Sequence, residues 1–406
     1  MTFIALSSNF PTIMKIKRFL SNFSFAAAFL SFAAAAPLMA ELPTSPLVGE
    51  FTTSTNETVA GQSWSLEISS GGVWNILGDL AQVNWEYEGS NIRLLKGSGT
   101  INIGSGTEAG SLYMIGKTLP SGNWQCPVDF SGTVNVGKMG SFTFGGVYLS
   151  KWDAISNINT LNVNGGMVSI MSDTSNNSYF GIKNLSVSDD GILESELNIR
   201  TVDGGVWDLH SSGLFVGKVR VNSGSMTFNL HAENVLANLP KISFDGGNVN
   251  CRMNVSADNS LSSLELNADA VLGLAVEDGA TLTLVNLTTK NGASGVTGAK
   301  IVFYDYRADA FLIKDPNLSV EDSRLYIPSV DTYVDLEAYD GNGNLLEGEW
   351  SYEWDGAAGG MLVLTVPEPA AFAAALGAFA LAFALRGRAG RCPDRLRGAG
   401  RTEDSR

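Results

Sequence analysis

Apolar and polar residues alternate with a period of two along most of the chain between residues 50 and 300. The alternating runs are broken by Asn-Gly, Asp-Gly or Gly-Gly pairs, as in TLNVNGGMVSI (160–170) and KISFDGGNVNCRM (241–253). Alternation of this kind indicates strands with one buried face, and the glycine pairs indicate tight turns. Because helical periodicity is nearly absent away from the two ends, the pattern predicts an all-β protein.

A repeat at fixed spacing predicts how these strands are arranged. The run that contains Trp207 aligns with the run that contains Phe228 at an offset of 21 residues (228 − 207), and a second such step reaches Val249. Offsets near 20 are typical of solenoid coils, whose strands stack about 4.8 Å apart. The register predicts that these three residues form one apolar column. It also predicts a polar column beside them, formed by Asp208, Asn229 and Asn250.

We therefore predict a right-handed parallel β-helix over residues 41–300. Residues 301–365 are richer in aromatic residues and contain a strong turn, DGNGN at 340–344. We predict that they form antiparallel hairpins that cap the last coil, because an open end would expose unpaired strand groups. Tandem β-sandwiches also combine short strands with turn signals and are the alternative architecture.

The first 40 residues have the features of a secretory signal peptide. A basic stretch, MKIKR at 14–18, precedes an apolar run that ends in small residues. This pattern predicts cleavage by signal peptidase between Ala40 and Glu41. Cleavage after Ala36 and a retained N-terminal membrane helix are the alternatives. Met14 is the predicted true start, because MKIKRFL is an ordinary opening for a signal peptide.

The other end of the chain carries a second apolar segment. Pro367, Glu368 and Pro369 precede an apolar run over residues 370–385. A helix over this run would be about 24 Å long, whereas the hydrocarbon core of a bilayer is about 30 Å thick. The run therefore predicts transient insertion in a membrane rather than a permanent span. The arginines that follow it are Arg386, Arg388 and Arg391.

This ending, over residues 366–406, resembles the PEP-CTERM sorting signal of Gram-negative bacteria. The resemblance implies export, transient retention at the inner membrane, and cleavage near the Pro-Glu-Pro motif by an exosortase. It also implies a final place at the cell surface or in an extracellular polysaccharide matrix. Members of the family usually stop soon after the arginines, whereas CPDRLRGAGRTEDSR follows here. The strand repeats of the body resemble, without a diagnostic motif, the passenger domains of autotransporter-like proteins.

The net charge and the cysteines limit which binding partners and which thiol or metal chemistry the sequence favours. The formal net charge of −15 opposes binding to nucleic acids or to anionic membrane surfaces. Cys126 and Cys251 both lie in strand-like contexts, which favours two buried free thiols over a disulfide. Cys392 lies in the predicted sorting signal, and no Cys-x-x-Cys spacing suggests a metal site.

Two groups of residues are candidate metal ligands. His210 and His231 share a column next to Arg252 in the 21-residue register, and we expect an outward polar ladder because spacing fixes no carboxylate beside them. The DGNGN stretch resembles the start of a calcium loop. Ser351, however, stands where the acidic ligand is required, so we expect a hairpin turn instead. The sequence predicts no metal and no cofactor.

Enzymatic activity is not predicted. A polysaccharide lyase or glycosidase with a β-helix fold needs charged residues clustered on one face. The neighbours of Asp208 in the predicted column are asparagines, and Lys218 and Arg220 stand alone in the sequence. No nucleophile or nucleotide motif is present. The sequence predicts a non-catalytic envelope or matrix protein, adhesive or glycan-binding through Asn, Ser and Thr ladders. A β-helix polysaccharide lyase or glycosidase is the alternative.

Overall fold

A computed structural model describes residues 42–60, 65–87, 94–116, 128–145, 158–171, 179–222, 224–245, 248–289 and 295–366. The predicted signal cleavage site at Ala40 and Glu41 lies outside the described residues, as does the sorting motif with its arginines. In the described part, regular structure consists of β-strands. None of these ranges contains a helix with the length and hydrophobicity needed to cross a bilayer.

The strands follow one another closely along the chain. In order they are β1 Glu50–Thr53, β2 Asn56–Ala60, β3 Leu66–Ile68, β4 Val73–Ile76, β5 Gln82–Tyr87, β6 Leu95–Gly97, β7 Thr100–Ile103, β8 Gly110–Gly116, β9 Val128–Val136, β10 Gly140–Gly145, β11 Ile158–Asn164, β12 Met167–Ile170, β13 Tyr179–Ser188, β14 Ile192–Ser195, β15 Asn198–Thr201, β16 Gly205–Leu209, β17 Leu214–Val216, β18 Val219–Val221, β19 Ser225–Leu230, β20 Ile242–Phe244, β21 Asn250–Val255, β22 Asn259–Leu266, β23 Val271–Val276, β24 Leu282–Thr289, β25 Gly295–Tyr304, β26 Phe311–Ile313, β27 Ser319–Glu321, β28 Arg324–Ile327, β29 Thr332–Tyr339, β30 Glu349–Asp355 and β31 Gly359–Thr365.

Parallel pairing between strands far apart in sequence defines the architecture. On one side of the coils, β1 pairs with β4, β4 with β7 and β7 with β9, and the ladder continues through β11, β13, β16, β19, β21, β23 and β25 to β29. A second side is the parallel sheet β2-β5-β8-β10-β12-β14-β17. A third side contains β15, β18, β20, β22 and β24. The predicted parallel β-solenoid is confirmed, and the alternative of tandem antiparallel sandwiches is wrong.

The core lies inside the coils, where every second residue of most strands points. In β9 the residues alternate between buried and partly exposed along most of the strand. The fully buried side chains include Trp74, Trp207 and Phe228. Trp207 and Phe228 pack edge to face, with ring centroids 5.4 Å apart. Burial of apolar surface, at about 25 cal/mol per Å², therefore stabilises each coil against its neighbours.

The predicted 21-residue register holds for one step and fails at the next. Trp207 pairs with Phe228 as predicted, but Phe228 pairs with Met253 and not with Val249. The second coil is four residues longer, 25 instead of 21. Val249 is still buried, because a shift by an even number of residues keeps the same side chains inside. The prediction of a single stack through Val249 is therefore wrong.

Antiparallel hairpins are present near the C-terminal end of the described chain, as predicted. β30 pairs with β31, and β28 pairs with both β27 and β29. The parallel ladder nevertheless continues past the boundary predicted at residue 300, which falls within β25, because β29 pairs with β25 in parallel. The DGNGN segment forms a tight turn, in which the Asp340 carboxylate accepts the backbone N–H groups of Asn342 and Asn344 at 2.9 and 2.7 Å.

Candidate functional site: the amide face

An asparagine ladder runs along the outside of the solenoid. Asn75, Asn102, Asn135 and Asn162 occupy the same position in successive coils. The side-chain Nδ2 of each later residue donates to Oδ1 of the one before it, at 2.7, 2.8 and 2.8 Å. Asn75 itself donates to Glu50 at 2.7 Å. We call the outer surface that carries this ladder the amide face.

The same column continues towards the C-terminus. After Ser186 and Asp208 come Asn229 and Asn254. Asn229 donates to Asp208 and Asn254 donates to Asn229, both at 2.7 Å. The predicted polar column is therefore confirmed for Asp208 and Asn229. It is wrong for Asn250, because the longer coil places Asn254 at this position.

The ladder uses only part of the hydrogen-bonding capacity of each amide. A carboxamide has two N–H donors and an oxygen with two lone pairs. One N–H and one lone pair of Asn135 are used along the column, and the side chain is half-buried. The other donor and acceptor remain for water or a ligand. The face thus presents a polar group about every 4.8 Å along the solenoid.

A groove of about 540 Å³ lies beside the ladder and spans several coils. Its lining residues carry no ionisable side chain. They are Leu77, Asn102, Gly104, Ser105, Asn135, Val136, Gly137, Asn162, Asn164, Ser186 and Ser188.

The two histidines stack further along the amide face. The rings of His210 and His231 are nearly parallel, with centroids 4.2 Å apart, so the predicted shared column is confirmed. Arg252 is not next in that column, because it pairs with Thr227. Both histidines are exposed, as expected of an outward polar ladder. Asp208 Oδ1 lies 3.5 Å from His231 Nε2, a neighbouring carboxylate that the spacing did not identify. Across the described ranges, no group of three or more His, Cys, Asp or Glu side chains is placed to hold a metal ion.

Charged residues meet on the third side of the solenoid, and the sequence did not predict this. Lys218 and Arg220 do not stand alone. Arg220 forms an ion pair with Asp245, and Lys218 Nζ lies 3.9 Å from the same carboxylate. On the next coils Lys241 pairs with Glu265. We call these five residues the ionic cluster. Ser243 joins its two halves by contacting Asp245 and Glu265, each at 2.7 Å.

The ionic cluster is organised as paired charges. Burial alone would raise the pKa of Glu265, but hydrogen bonds from Lys241 and Ser243 and the charge of Lys241 outweigh it and leave that pKa below its ordinary value. Burial also lowers the pKa of Arg220, an effect that the charge of Glu265 opposes. A general acid needs a raised pKa to hold its proton near neutral pH. Glu265 is therefore an ionised partner of Lys241 rather than a proton donor.

The lowered pKa of Glu265 predicts how stability changes with pH. A carboxyl with a depressed folded-state pKa stabilises the fold above its ordinary pKa of 4.5 and loses this contribution as pH falls through the folded value. Glu265→Gln should be less stable than wild type at pH 7, and the difference should narrow below about pH 4.5. Thermal melts from pH 7 to pH 3 measure this, with Glu347→Gln as an exposed control. A constant difference over that range would contradict the prediction.

The thiol of Cys251 is not placed for nucleophilic or metal-binding chemistry. Cys251 is free and fully buried in the core. Burial raises the pKa of its thiol well above the ordinary range. A thiol that stays protonated is a poor nucleophile and a poor metal ligand. The buried free thiol predicted for Cys251 is confirmed, whereas Cys126 and Cys392 lie outside the described residues.

Comparison with known proteins adds no relative. No family model matches the chain. No curated protein and no solved structure matches it either.

Proposed function

We propose that this is a non-catalytic protein of the bacterial cell envelope or extracellular matrix that binds polysaccharide along the amide face. The observation that carries the proposal is the uncharged groove beside the asparagine ladder. The groove extends over several coils, which suits an extended polymer. Its amides and hydroxyls can each donate and accept hydrogen bonds, as the hydroxyl groups of sugars require.

The chemistry of the groove favours a neutral glycan. The chain has a net charge of −15, so a uronate or sulfated polymer would be repelled. The asparagine side chains are held in place by their neighbours, at 2.8 Å between Asn135 and Asn102. Such preorganised groups lose little conformational entropy when a ligand binds. A rigid row of amides can thus bind a polysaccharide without any movement of the solenoid.

Export and sorting form the other half of the proposal. Signal peptidase would cut after Ala40, and an exosortase-like enzyme would cut at the Pro-Glu-Pro motif. The segment 370–385 would contact the inner membrane only during this processing. The acidic composition supports a role outside the cell among polysaccharides rather than nucleic acids.

Binding at the groove can be tested with one variant and a matched control. Asn135→Ala removes the central amide of the ladder, whereas Asn84→Ala removes an amide that donates to Asn56 on the opposite sheet at 3.3 Å. Loss of one or two hydrogen bonds, at about 1 kcal/mol each, should weaken binding of a neutral oligosaccharide about five- to thirtyfold in Asn135→Ala. Asn84→Ala should bind like wild type.

Isothermal titration of the full-length chain with neutral gluco-, manno- and xylo-oligosaccharides measures these affinities. Equal affinities for wild type and Asn135→Ala would contradict the proposed groove, provided that their melting temperatures agree. Failure of all three oligosaccharides and their polymers to bind wild type would contradict the proposed function itself.

A polysaccharide lyase or glycosidase is the second candidate. The ionic cluster favours it, because acidic and basic side chains are brought together on one side of the solenoid. Incubation of the protein with polysaccharides, followed by measurement of new reducing ends and unsaturated products, decides between the two. Product release that is lost in Glu265→Gln would overturn the non-catalytic proposal.

A further inference from the structure

The column of asparagines on the amide face changes into a column of tyrosines. Asn254 is followed in register by Ala275, then by Tyr304 and Tyr339. Alanine has no amide, so the ladder ends at Asn254. The rings of Tyr304 and Tyr339 then stack, with centroids 5.9 Å apart and an angle of 17° between their planes.

Arg252 links the last amide to the first aromatic ring. Its Nε donates to Oδ1 of Asn254 at 2.9 Å, the oxygen that a further asparagine would otherwise have used. Its guanidinium carbon lies 4.5 Å from the centre of the Tyr304 ring. The guanidinium group is therefore fixed between an amide and an aromatic ring, and its side chain is exposed. Its terminal N–H groups are placed to donate to a ligand on this surface.

Gly273 makes room for the Tyr304 ring. A Cβ atom at this position would come within 2.9 Å of Cε2 of Tyr304, so the ring extends over the glycine along the sheet surface. Tyr304 keeps 36% of its surface exposed. An aromatic ring beside fixed hydrogen-bond donors can bind a pyranose, whose C–H face packs on the ring while its hydroxyls meet the donors.

We infer that Tyr304, Arg252 and Asn254 form a subsite for a pyranose unit of a neutral polysaccharide, which we call the tyrosine subsite. The inference rests on the proposed glycan-binding function and adds a second place of contact. Glu277 is exposed on the same face, two residues beyond Ala275, and the ion pair of Lys300 with Glu337 lies next to the stacked tyrosines. A neutral sugar avoids the repulsion that these carboxylates and the acidic chain would impose on an anionic one.

The tyrosine subsite and the asparagines of the groove are two separate places on the amide face. Three register steps separate Ser186, at the near edge of the groove, from Asn254, and six separate Asn162 from Tyr304, which corresponds to roughly 14 and 29 Å at about 4.8 Å per coil. A trisaccharide would occupy the two places independently. A long polymer would occupy both at once and gain affinity from the linkage.

Variants at Tyr304 test the tyrosine subsite with a matched control. Tyr304→Ala in the full-length chain should reduce the number of neutral trisaccharides bound from two to one and weaken polymer binding about tenfold. Tyr304→Phe keeps the ring and should stay within about threefold of wild type. Tyr113→Ala is the control, because Tyr113 is equally exposed, at 36%, on the seven-stranded sheet. Arg252→Met removes the donors while leaving Tyr304 in place and should also lose one bound trisaccharide.

The outcomes separate this inference from the proposed function. If Tyr304→Ala and Arg252→Met still bind two trisaccharides while Asn135→Ala binds one, the tyrosine subsite is wrong and the groove stands. If wild type binds no neutral trisaccharide and no neutral polymer, both proposals are wrong. Tighter binding of a trigalacturonate than of the neutral trisaccharide at Tyr304 would overturn the assigned ligand class. If Tyr304→Ala melts at a lower temperature than wild type, its loss of binding could reflect lost stability. The number of trisaccharides bound by Arg252→Met then decides whether the tyrosine subsite exists.

Discussion

Replacing Phe228 by alanine should lower the free energy of unfolding by about 3–5 kcal/mol. Phe228 is fully buried and packs between Trp207 and Met253 on the adjacent coils. Backbone hydrogen bonds hold these coils about 4.8 Å apart on both sides of the ring. The surrounding structure can therefore collapse only partly into the space left by the phenyl group, which makes the cavity costly.

Urea unfolding, monitored by tryptophan fluorescence, measures this decrease in the free energy of unfolding. Phe215→Ala is the matched control, because Phe215 is 42% exposed on the outer surface of β17, and its change should remain below about 1 kcal/mol. Each coil contacts only its neighbours, so hydrogen exchange in Phe228→Ala should accelerate most in β16, β19 and β21. Equal losses for the two variants would show that Phe228 does not occupy the core position described.

The strand pattern and the parallel stacking could be predicted from the sequence, whereas the register could be predicted for the step from Trp207 to Phe228 but not for the next one. Alternation identifies which residues face inward, and glycine-rich turns mark the corners. When the pairing of two strands shifts by an even number of residues, the same side chains still point into the core. Alternation therefore cannot distinguish Met253 from Val249 as the partner of Phe228. The length of each connection decides the register. The coil before β21 is longer than the preceding one at two places, between Leu230 and Ile242 and between Ile242 and Cys251.

Because the coil length varies, most of the asparagine ladder could not be predicted from the sequence either. Asn102 and Asn135 are 33 residues apart, whereas Asp208 and Asn229 are 21 apart. A search at one offset therefore finds only one of these pairs. A local signal was present, because TIN at 100–102, TVN at 133–135 and TLN at 160–162 share one Thr–apolar–Asn pattern.

The ionic cluster had no comparable sequence signal. Lys241 meets Glu265 and Arg220 meets Asp245 only because coils of particular lengths place them side by side. No spacing rule applies when the coil length varies from one turn to the next. Isolated charges in a strand pattern can therefore be partners across coils, and only the folded register identifies them.

The largest effect that we expect concerns processing at the C-terminal end. The mature protein should run from about Glu41 to about Val366 and lack the arginines after residue 385. The apolar segment 370–385 is short for a bilayer and rich in alanine, so its insertion should be reversible. The arginines that follow should stay on the cytoplasmic side, because moving them through the hydrocarbon core is costly.

Glu368→Ala should leave the chain uncut and retained in the inner membrane, with little or no mature form released. Pro367 and Pro369 lack the N–H that a helix needs, so the sequence predicts an extended peptide here that a processing enzyme can bind. Glu368 is the charged side chain within that peptide and the one such an enzyme would recognise.

Glu347→Ala, which replaces an exposed glutamate before β30, is the control and should be processed normally. Mass spectrometry of membrane and surface fractions from native cells measures both forms. Recovery of wild-type protein that still carries the peptide after Leu385 would show that the segment is a permanent anchor.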